Sequence, residues 1–485
     1  MNYNVLHYML DLPYEMEWDQ VEDIGLMYEG KKLILNHETG TGKTTLALGV
    51  TALLASRLRK ENRKLIITAP SNKLDSFKED VVRSVPALRV MRATGKADDV
   101  NWLIKYIDDY DVIVTMPSLW ASISWAKFIY EHPSKILCSI YDEAAGINDE
   151  AYHLFCEFSR QQFEYSFLLN ATPVKRSNEL EKTYNLLYAV EAINDGYTFR
   201  DFQRDMVTLP SGIGNKKALD IHGVVDEYKF HRLYSKYILN RSKADLGVNV
   251  EVEVEFYRCS LSKIQEDVLE AKFRKSNSTK TVTGKIETVT EILYNPQDLY
   301  QVNPVNMEAL SKTMMMTLQE LQNINTTNVV VFMQNTDIKN RFQQMLKNMG
   351  INTFMIDGSL KPAQKNEVEK AFNESEKSVM ITNIEKASSF QSANVILIYG
   401  FPEDIIQTTN RIIRGRSDKK VKVHWVYYGH DSFNKLLKQL ELTMEDEKIS
   451  KRTFPCTIPI YKEITKYYDN PALSKFHAIL KGRDK

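Results

Sequence analysis

A glycine-rich run near the start of the chain, HETGTGKTT, has the residue types of a phosphate-binding loop. Gly40 and Gly42 let the backbone curl, so that consecutive N–H groups converge on an anion at the N-terminus of the following helix. Lys43 is expected to reach the β- and γ-phosphates of a nucleotide, and Thr44 to place its hydroxyl on Mg²⁺. The sequence therefore predicts a nucleotide site at Thr39, Gly40, Thr41, Gly42, Lys43, Thr44 and Thr45.

Two carboxylates follow a second apolar run, in ILCSIYDEAAG. Asp142 and Glu143 end a predicted strand, at the sheet edge where the glycine-rich loop is also expected to emerge. Asp142 suits direct or indirect Mg²⁺ binding, and Glu143 suits the general base that orients and deprotonates an attacking water. Alone, such a pair is equally consistent with a solvated loop end. Together with the glycine-rich loop, it predicts an ATPase or a GTPase.

The elements that position these residues are short apolar runs alternating with amphipathic stretches. In the first half the strand signals are KLILN, KLIITAP, DVIVTMP, KILCSIYDEA and SFLLNATP. In the second half they are NVVVFMQ, INTFMID, KSVMITN, NVILIYG and KVHWVYY. Continuous apolar strands separated by helices are typical of a parallel sheet that is covered on both faces. The pattern predicts an α/β fold with two such sheets.

These patterns divide the chain into four segments. Residues 1–190 form a first lobe with the nucleotide loop, and residues 301–450 form a second lobe. The more polar residues 191–300 form a helical segment between the lobes, with a flexible loop near 275–285. Residues 451–485 are basic and rich in tyrosine. They are consistent with a packed pair of terminal helices, a brace across the lobes or a nucleic-acid contact.

Composition excludes several classes of protein. The 485 residues are 43% hydrophobic and 26% charged, as in ordinary globular proteins. The sequence lacks an apolar run long enough to span a bilayer and a secretory signal. Four scattered cysteines indicate reduced thiols, and His153 and Cys156 lack the second ligand pair of a zinc site. We therefore expect a cytoplasmic protein with no membrane partner.

Charge is unevenly distributed, although the net charge is zero. Residues 1–30 carry seven acidic residues and no Lys or Arg. Residues 405–485 carry 17 Lys and Arg against nine Asp and Glu. This asymmetry fits a nucleic-acid or phosphate partner for the C-terminal part of the chain.

The motifs and their order resemble those of superfamily 2 helicases and, within them, the Snf-type DNA translocases. In the first half, TGTGKT resembles motif I, KLIITAPSNKLDSFKEDV motif Ia and DVIVTMPSLW the next backbone-contact motif. DEAA resembles motif II, and LLNATPVKRSNELEKTYNLL resembles motif III. ILNRSKADLG is similar to the basic segment between the lobes. In the second half, VVVFMQN resembles motif IV, and MIDGSLKPAQKNEVEKAFN resembles the strand and helix that follow it. SVMITNIEKASSFQSANVILIYGFP resembles motif V, and QTTNRIIRGR resembles motif VI. The resemblance covers nearly the whole chain. It implies two tandem RecA-like domains, with ATP bound in the cleft between them.

The resemblance also implies roles for residues outside the nucleotide loop. Gln20 stands where many relatives have a glutamine that reads adenine, a place that Glu15 or Glu17 could equally fill. Contacts to nucleic acid are implied for Thr68, Pro70, Ser71, Thr115, Thr172, Arg241, Lys243, Asn335, Gly358 and Thr382.

The segment that resembles motif VI supplies three further candidate catalytic residues. Gln407, Arg411 and Arg414 are three or four residues apart, so on a helix they share one face. An arginine presented to the γ-phosphate stabilises the charge of the transition state. Ion pairs on a solvated helix are the structural alternative.

The chain departs from the family pattern at four places. The phosphate loop has His37 where the full pattern has Gly, and the second motif ends in Ala145 where relatives often have His or Asp. The fifth motif has residues 385–389, EKASS, in place of the usual glycines, and the sixth has Asn410 in place of Gly. No catalytic group is lost at these places.

The sequence thus predicts a two-lobed motor that uses ATP and Mg²⁺ to move along or remodel nucleic acid, as a monomer or a transient oligomer. By analogy, we expect it in replication, recombination or repair, in the host cytoplasm if it is encoded by a phage or mobile element. The Snf-like third motif and the basic segment favour DNA over RNA. Two alternatives stay open: an RNA helicase, and an ATPase switch or clamp without translocation, which Ala145 and the altered fifth motif favour.

Overall fold

The computed structural model describes most of the chain as two compact units that divide between Gly247 and Val248. None of the helices in the described residues combines the length and the apolar character needed to span a bilayer. The predicted flexible loop near 275–285 and the extension 451–485 lie outside the described residues. The described residues are 12, 16–38, 40–144, 149–170, 180–208, 224–225, 227–243, 245–260, 263, 267, 308–383, 389–400, 408, 411–413 and 418–428.

The first unit is built on a seven-stranded parallel sheet. Its strands, and a short antiparallel pair (β7 and β8), are β1 (Lys32–His37), β2 (Lys64–Thr68), β3 (Val90–Ala93), β4 (Val112–Thr115), β5 (Ile136–Asp142), β6 (Tyr165–Asn170), β7 (Val207–Thr208), β8 (Val224–Val225) and β9 (Ile238–Arg241). The strand order in the sheet is β3-β4-β2-β5-β6-β1-β9. All its strands run parallel, so their carboxyl ends lie at one edge.

Helices lie along the chain between these strands. They are α1 (Trp18–Gly30), α2 (Lys43–Lys60), α3 (Leu74–Ser84), α4 (Ala97–Tyr106), α5 (Ile123–Glu131), α6 (Asp149–Gln161), α7 (Leu180–Ala189), α8 (Phe199–Met206) and α9 (Glu227–Tyr234). Successive strand residues belong to different cores: Ile34 and Ile66 to one, Leu33 and Leu65 to the other. The sheet is therefore buried on both sides, which is why its strands are continuously apolar.

The second unit contains a six-stranded parallel sheet with the order β10-β15-β14-β11-β13-β12. Its described elements are β10 (Val250–Cys259), α10 (Glu308–Gln322), β11 (Val329–Met333), α11 (Thr336–Asn348), β12 (Thr353–Ile356), α12 (Pro362–Asn373), β13 (Val379–Thr382), β14 (Val395–Tyr399) and β15 (Lys419–Tyr428). The central strands are fully buried and form one apolar core with the helices. All the paired strands of this sheet run parallel.

The ten strands predicted from apolar runs are all present, and the predicted α/β class with two parallel sheets is confirmed. Five of the described strands were not predicted: β3, β9 and β10 of the two large sheets, and the two-residue strands β7 and β8. Strands β3 (VMRA), β9 (ILNR) and β10 (VEVEVEFYRC) contain charged residues because each lies at the edge of its sheet, so none of them is a continuous apolar run. Residues 191–300, predicted as a segment between the lobes, include β9 of the first unit and β10 of the second.

Candidate active site

The glycine-rich loop follows β1 and leads directly into α2. Gly40 and Gly42 have φ angles of 88° and 101°, in the left-handed region that glycine enters without steric cost. Gly42 is the N-cap of α2, and its carbonyl oxygen accepts the Leu46 N–H at 3.1 Å. Helical N–H groups before Leu46 have no carbonyl one turn back inside the helix. With the positive end of the helix dipole, they form an anion site.

Lys43 folds back over the first residues of this loop. Its Nζ donates to the carbonyl oxygens of His37 at 2.6 Å and Glu38 at 3.1 Å. Thr41 Oγ1 donates to the same Glu38 carbonyl at 2.8 Å, which tightens the turn. Thr44 is exposed at the start of the helix. The structure thus brings the predicted loop residues together in one turn, except for Thr39, which lies outside the described residues.

Strand β9 supports this loop in a way that the sequence did not reveal. The Glu38 N–H donates to the Arg241 carbonyl at 2.9 Å, and Glu38 Oε2 accepts the Lys243 N–H at 2.7 Å. The Glu38 side chain is almost completely buried. Burial raises the pKa of this carboxyl group, and the Lys243 N–H and the nearby ammonium charges oppose the shift. The loop is thus attached to residues two hundred positions later in the chain.

The Arg241 side chain ties β9 to α1. Its guanidinium donates to Asp23 at 2.8 and 2.9 Å and to Glu22 at 2.6 Å. Burial raises the pKa of Asp23 to about 6, and the hydrogen bond from Arg241 opposes that shift. Lys243 is buried beside the same loop. The structure therefore places both residues next to the nucleotide loop, and their contacts to nucleic acid stay predictions.

Gln20, the predicted adenine reader, lies at the beginning of α1. Its Oε1 accepts the Glu17 N–H at 3.1 Å, within a capping box that also uses the Glu17 side chain. Gln20 is 6% exposed. Its role toward adenine stays a prediction, and this hydrogen bond is the observed role of the amide.

The two predicted carboxylates lie at the end of β5, at the same sheet edge as the loop. The Asp142 side chain is 6% exposed, whereas that of Glu143 is 42% exposed. Glu143 has a φ angle of 59°, a left-handed conformation that is uncommon for a residue with a side chain. Such backbone strain concentrates at functional sites. The two neighbours therefore differ in their surroundings, as different chemical roles require.

Lys73 is a charged neighbour of these carboxylates that the sequence analysis did not select. Its Nζ lies 2.6 Å from Asp142 Oδ2 and 3.9 Å from Glu143 Oε1. The Asp142 carboxylate thus already pairs with a cation, the Lys73 ammonium group, in its observed position. Carboxylate and hydroxyl oxygens are ligands that Mg²⁺ accepts, so Asp142 and Thr44 fit the predicted metal.

Mg²⁺ at a nucleotide site is held by few protein oxygens together with phosphate oxygens. The described residues contain no group of three or more His, Cys, Asp or Glu placed to hold a metal ion.

The predicted nucleic-acid residues of the first unit follow β2 and β4. Thr68 and Thr115 are fully buried, and Thr68 Oγ1 accepts the Trp120 Nε1–H at 2.9 Å. Pro70 is half-buried, and the exposed Ser71 begins a 3₁₀ turn, Ser71–Lys73. Pro70 and Ser71 are thus accessible as they stand. Thr172 lies outside the described residues.

Three predicted nucleic-acid contacts belong to the second unit, at or just after the ends of the neighbouring strands β11, β13 and β12. Asn335 follows β11, Thr382 ends β13, and Gly358 follows β12. Asn335 Oδ1 accepts the N–H groups of Asp337 at 2.9 Å and Ile338 at 3.2 Å, so this side chain caps α11. Gly358 is exposed, and Thr382 is buried.

Of the three candidate catalytic residues in the last motif, the structure describes Arg411. Its side chain is 6% exposed, and its carbonyl oxygen accepts the Phe390 N–H at 2.9 Å. Gln407 and Arg414 lie outside the described residues. Residues 411–413 form a turn rather than a helix, so the structure does not place Arg411 on the predicted shared helix face.

Solved structures with similar folds include two SWI2/SNF2 ATPase cores. The "Sulfolobus solfataricus SWI2/SNF2 ATPase core in complex with dsDNA" is 18% identical, with a TM-score of 0.40 over 91% of this chain and 94% of that chain. The "Sulfolobus solfataricus SWI2/SNF2 ATPase core domain" is 16% identical, with a TM-score of 0.40 over 92% and 96%.

Curated relatives cover part of the chain at low identity. Chromodomain-helicase-DNA-binding protein 1-like of Danio rerio is 24% identical, over 74% of this chain and 35% of the relative. Chromatin-remodeling ATPase INO80 of Candida albicans is 24% identical, over 58% and 21%. An uncharacterized ATP-dependent helicase of Mycoplasma pneumoniae is 22% identical, over 70% and 32%. The chain spans at most about a third of the length of these relatives.

Family models match both parts of the chain. The model described as "SNF2-related domain" matches residues 4–308, and the model described as "Helicase conserved C-terminal domain" matches residues 310–417. These matches confirm the resemblance that was drawn from the motifs. Since the first model alone matches more than half of the 485 residues, this chain belongs to the SNF2-related domain family.

Proposed function

We propose that this chain is an ATP hydrolase that couples hydrolysis to movement along, or remodelling of, double-stranded DNA. The observation that carries the proposal is the common sheet edge. There the glycine loop at the start of α2 and the Asp142–Glu143 carboxylates emerge from parallel strands of one sheet. The family membership supports the same class of enzyme.

Each group at this edge has a distinct task in the proposed reaction. The N–H groups at the start of α2 and the Lys43 ammonium bind the phosphates of ATP. Thr44 and Asp142 would hold Mg²⁺, which would supply positive charge to the phosphate oxygens. Glu143, which is more exposed than Asp142, orients and deprotonates the attacking water. In the proposed reaction, charge on the γ-phosphate is stabilised by Arg411, Arg414 and Gln407.

DNA is the proposed partner because two curated relatives carry the words DNA-binding and chromatin-remodeling in their names. The accessible Pro70 and Ser71 would contact the sugar–phosphate backbone, together with the exposed Gly358. Backbone contacts carry no sequence information and weaken as salt rises. We therefore propose a motor without sequence preference. By analogy, we propose that it acts in replication, recombination or repair.

The test is steady-state ATP hydrolysis without nucleic acid and with single-stranded DNA, duplex DNA, branched DNA or RNA. We expect duplex DNA to stimulate hydrolysis most strongly, and this stimulation to fall as salt rises. Displacement of a triplex-forming oligonucleotide, measured in parallel, reports movement along the duplex.

Each departure from this result favours a different function. Stronger stimulation by RNA would favour an RNA helicase. Stimulation by DNA without triplex displacement would favour a switch or clamp. Equal hydrolysis in all five conditions would contradict a nucleic-acid motor.

A further inference from the structure

Lys73 joins a predicted nucleic-acid contact to a predicted metal ligand. It ends the 3₁₀ turn that begins at Ser71, and its N–H donates to the Pro70 carbonyl at 2.9 Å. Its Nζ lies 2.6 Å from Asp142 Oδ2. One short turn therefore presents the exposed Ser71 to the surface and the Lys73 ammonium group to the carboxylate.

The ion pair has a clear physical reason. Burying a charge costs less free energy when an opposite charge is paired with it, and Lys73 supplies that charge to the largely buried Asp142. A divalent cation bound to the same carboxylate would stand beside this ammonium, and the two like charges repel strongly at such short distances. Lys73 and Mg²⁺ therefore compete for Asp142.

The Lys73 side chain has an alternative anionic partner when nucleic acid binds at this turn. Phosphate groups are strong acceptors for ammonium groups. Lys73 is only two residues after Ser71, so a DNA phosphate bound at Pro70 and Ser71 would lie near the same turn as Lys73. Rotation about the bonds of the flexible lysine stem exchanges one partner for the other without a change in the backbone.

We propose that Lys73 couples the two ligands: phosphates of bound DNA draw its ammonium group away from Asp142, and the carboxylate then becomes available to Mg²⁺ with ATP. This inference rests on the proposed function, which places Mg²⁺ at Asp142 and DNA at Pro70 and Ser71. Thermodynamic linkage makes the effect reciprocal, so Mg²⁺ with ATP strengthens DNA binding by the same factor.

The test is a titration of Mg²⁺ that follows the equilibrium binding of a fluorescent, non-hydrolysable ATP analogue, with and without duplex DNA. In the unaltered chain, DNA should lower the half-saturating Mg²⁺ concentration by about fivefold or more. In Lys73→Ala this concentration should already be low without DNA, and DNA should hardly change it. Lys73→Arg, which keeps the charge, should retain the effect of DNA.

Lys78→Ala is the matched control, because Lys78 is an exposed lysine on α3, the helix that follows the turn. It should behave as the unaltered chain does. Circular dichroism checks folding, and Lys73→Gln replaces Lys73→Ala if the alanine variant does not fold.

The outcomes separate two failures. If the unaltered chain binds the analogue and DNA, and DNA shifts its Mg²⁺ dependence equally in Lys73→Ala, the coupling role is wrong and the proposed function stands. If the unaltered chain binds no analogue or no DNA, the proposed function is wrong and the inference falls with it.

Discussion

The two units use the same strand-to-helix step for different purposes. In the first unit β1 leads into α2 through Gly40 and Gly42, both with positive φ, and the N-cap residue Gly42 has no side chain with which to cap the helix. In the second unit β11 leads into α11 through Asn335, whose side-chain oxygen accepts the N–H groups of Asp337 and Ile338. The second helix start is satisfied from within the protein, whereas the first is shaped for an external anion.

The charged residues of the two units also differ in what they contact. At the edge of the second sheet, Lys420 pairs with Glu251 at 2.9 Å, and the buried His424 lies between Glu255 and Glu320 at 3.0 and 2.8 Å. These groups balance one another between β10, β15 and α10, so they stabilise the sheet edge. Near the glycine loop, Lys43 donates to two carbonyl oxygens of the loop, and Lys73 pairs with Asp142. The proposed function assigns phosphate to Lys43 and Mg²⁺ to Asp142, so we propose that nucleotide binding belongs to the first unit.

Among the substitutions that compare the two units, Lys43→Ala is expected to have the largest effect. Loss of the ammonium group removes a charged donor to the phosphates, and hydrolysis of ATP should fall roughly 10²–10³-fold. Steady-state kinetics and binding of a fluorescent ATP analogue check this. Lys60→Ala, an exposed lysine at the other end of α2, is the control and should leave both unchanged. A Lys43→Ala variant as active as the control would remove the contrast between the units.

A moderate effect is expected at the far end of the same helix. Arg57 in the last turn of α2 donates to Glu164 at 2.9 Å, and Arg63 and Lys31 lie 3.2 and 3.3 Å from the same carboxylate. The hydrogen bond from Arg57 is the main cause that lowers the pKa of Glu164 to about 2. Glu164→Gln should lower the free energy of unfolding by about 1–2 kcal/mol at pH 7.

The pH dependence of that loss follows from the direction of the shift. A carboxyl group whose pKa is depressed in the folded state stabilises it above the ordinary pKa, and this stabilisation disappears as pH falls toward about 2. Urea unfolding should therefore show a large difference between Glu164→Gln and the unaltered chain at pH 7 and a much smaller one at pH 2. An equal difference at both values would mean that the charge plays no part.

The smallest effect is expected at the start of α11. Asn335→Ala removes the capping oxygen and should lower the free energy of unfolding by about 1 kcal/mol, while Asn335→Asp should retain most of it. Binding of the ATP analogue should stay unchanged in both variants, since this cap belongs to the second unit. Weakened nucleotide binding in Asn335→Ala would show that the two helix starts are not functionally distinct.

Local patterns predicted much of the fold and of the nucleotide loop. The glycine spacing at Gly40 and Gly42 and the apolar runs before them depend only on neighbouring residues, so the sequence displays them directly. The same is true of Asp142 and Glu143 at the end of a buried strand. Such signals arise because burial and turn geometry restrict residue types over a few positions.

Contacts between distant parts of the chain were not predicted. Glu38 meets Lys243 only because β9 pairs with β1, and β9 (ILNR) is half polar, so it lacks the apolar run of a buried strand. Lys73 meets Asp142 only because β2 and β5 are neighbours in the sheet. Strand order is a property of the whole fold, so it lies beyond local patterns.

The most direct test of the central claim compares Glu143→Gln with the unaltered chain, in the presence of duplex DNA. Glutamine has nearly the same shape and cannot act as a general base, so hydrolysis should fall by about 10²–10⁴-fold. Binding of the fluorescent ATP analogue should be unchanged, because the loop and Lys43 hold the phosphates. Hydrolysis at the unaltered rate in Glu143→Gln would contradict the assignment of this sheet edge as the active site.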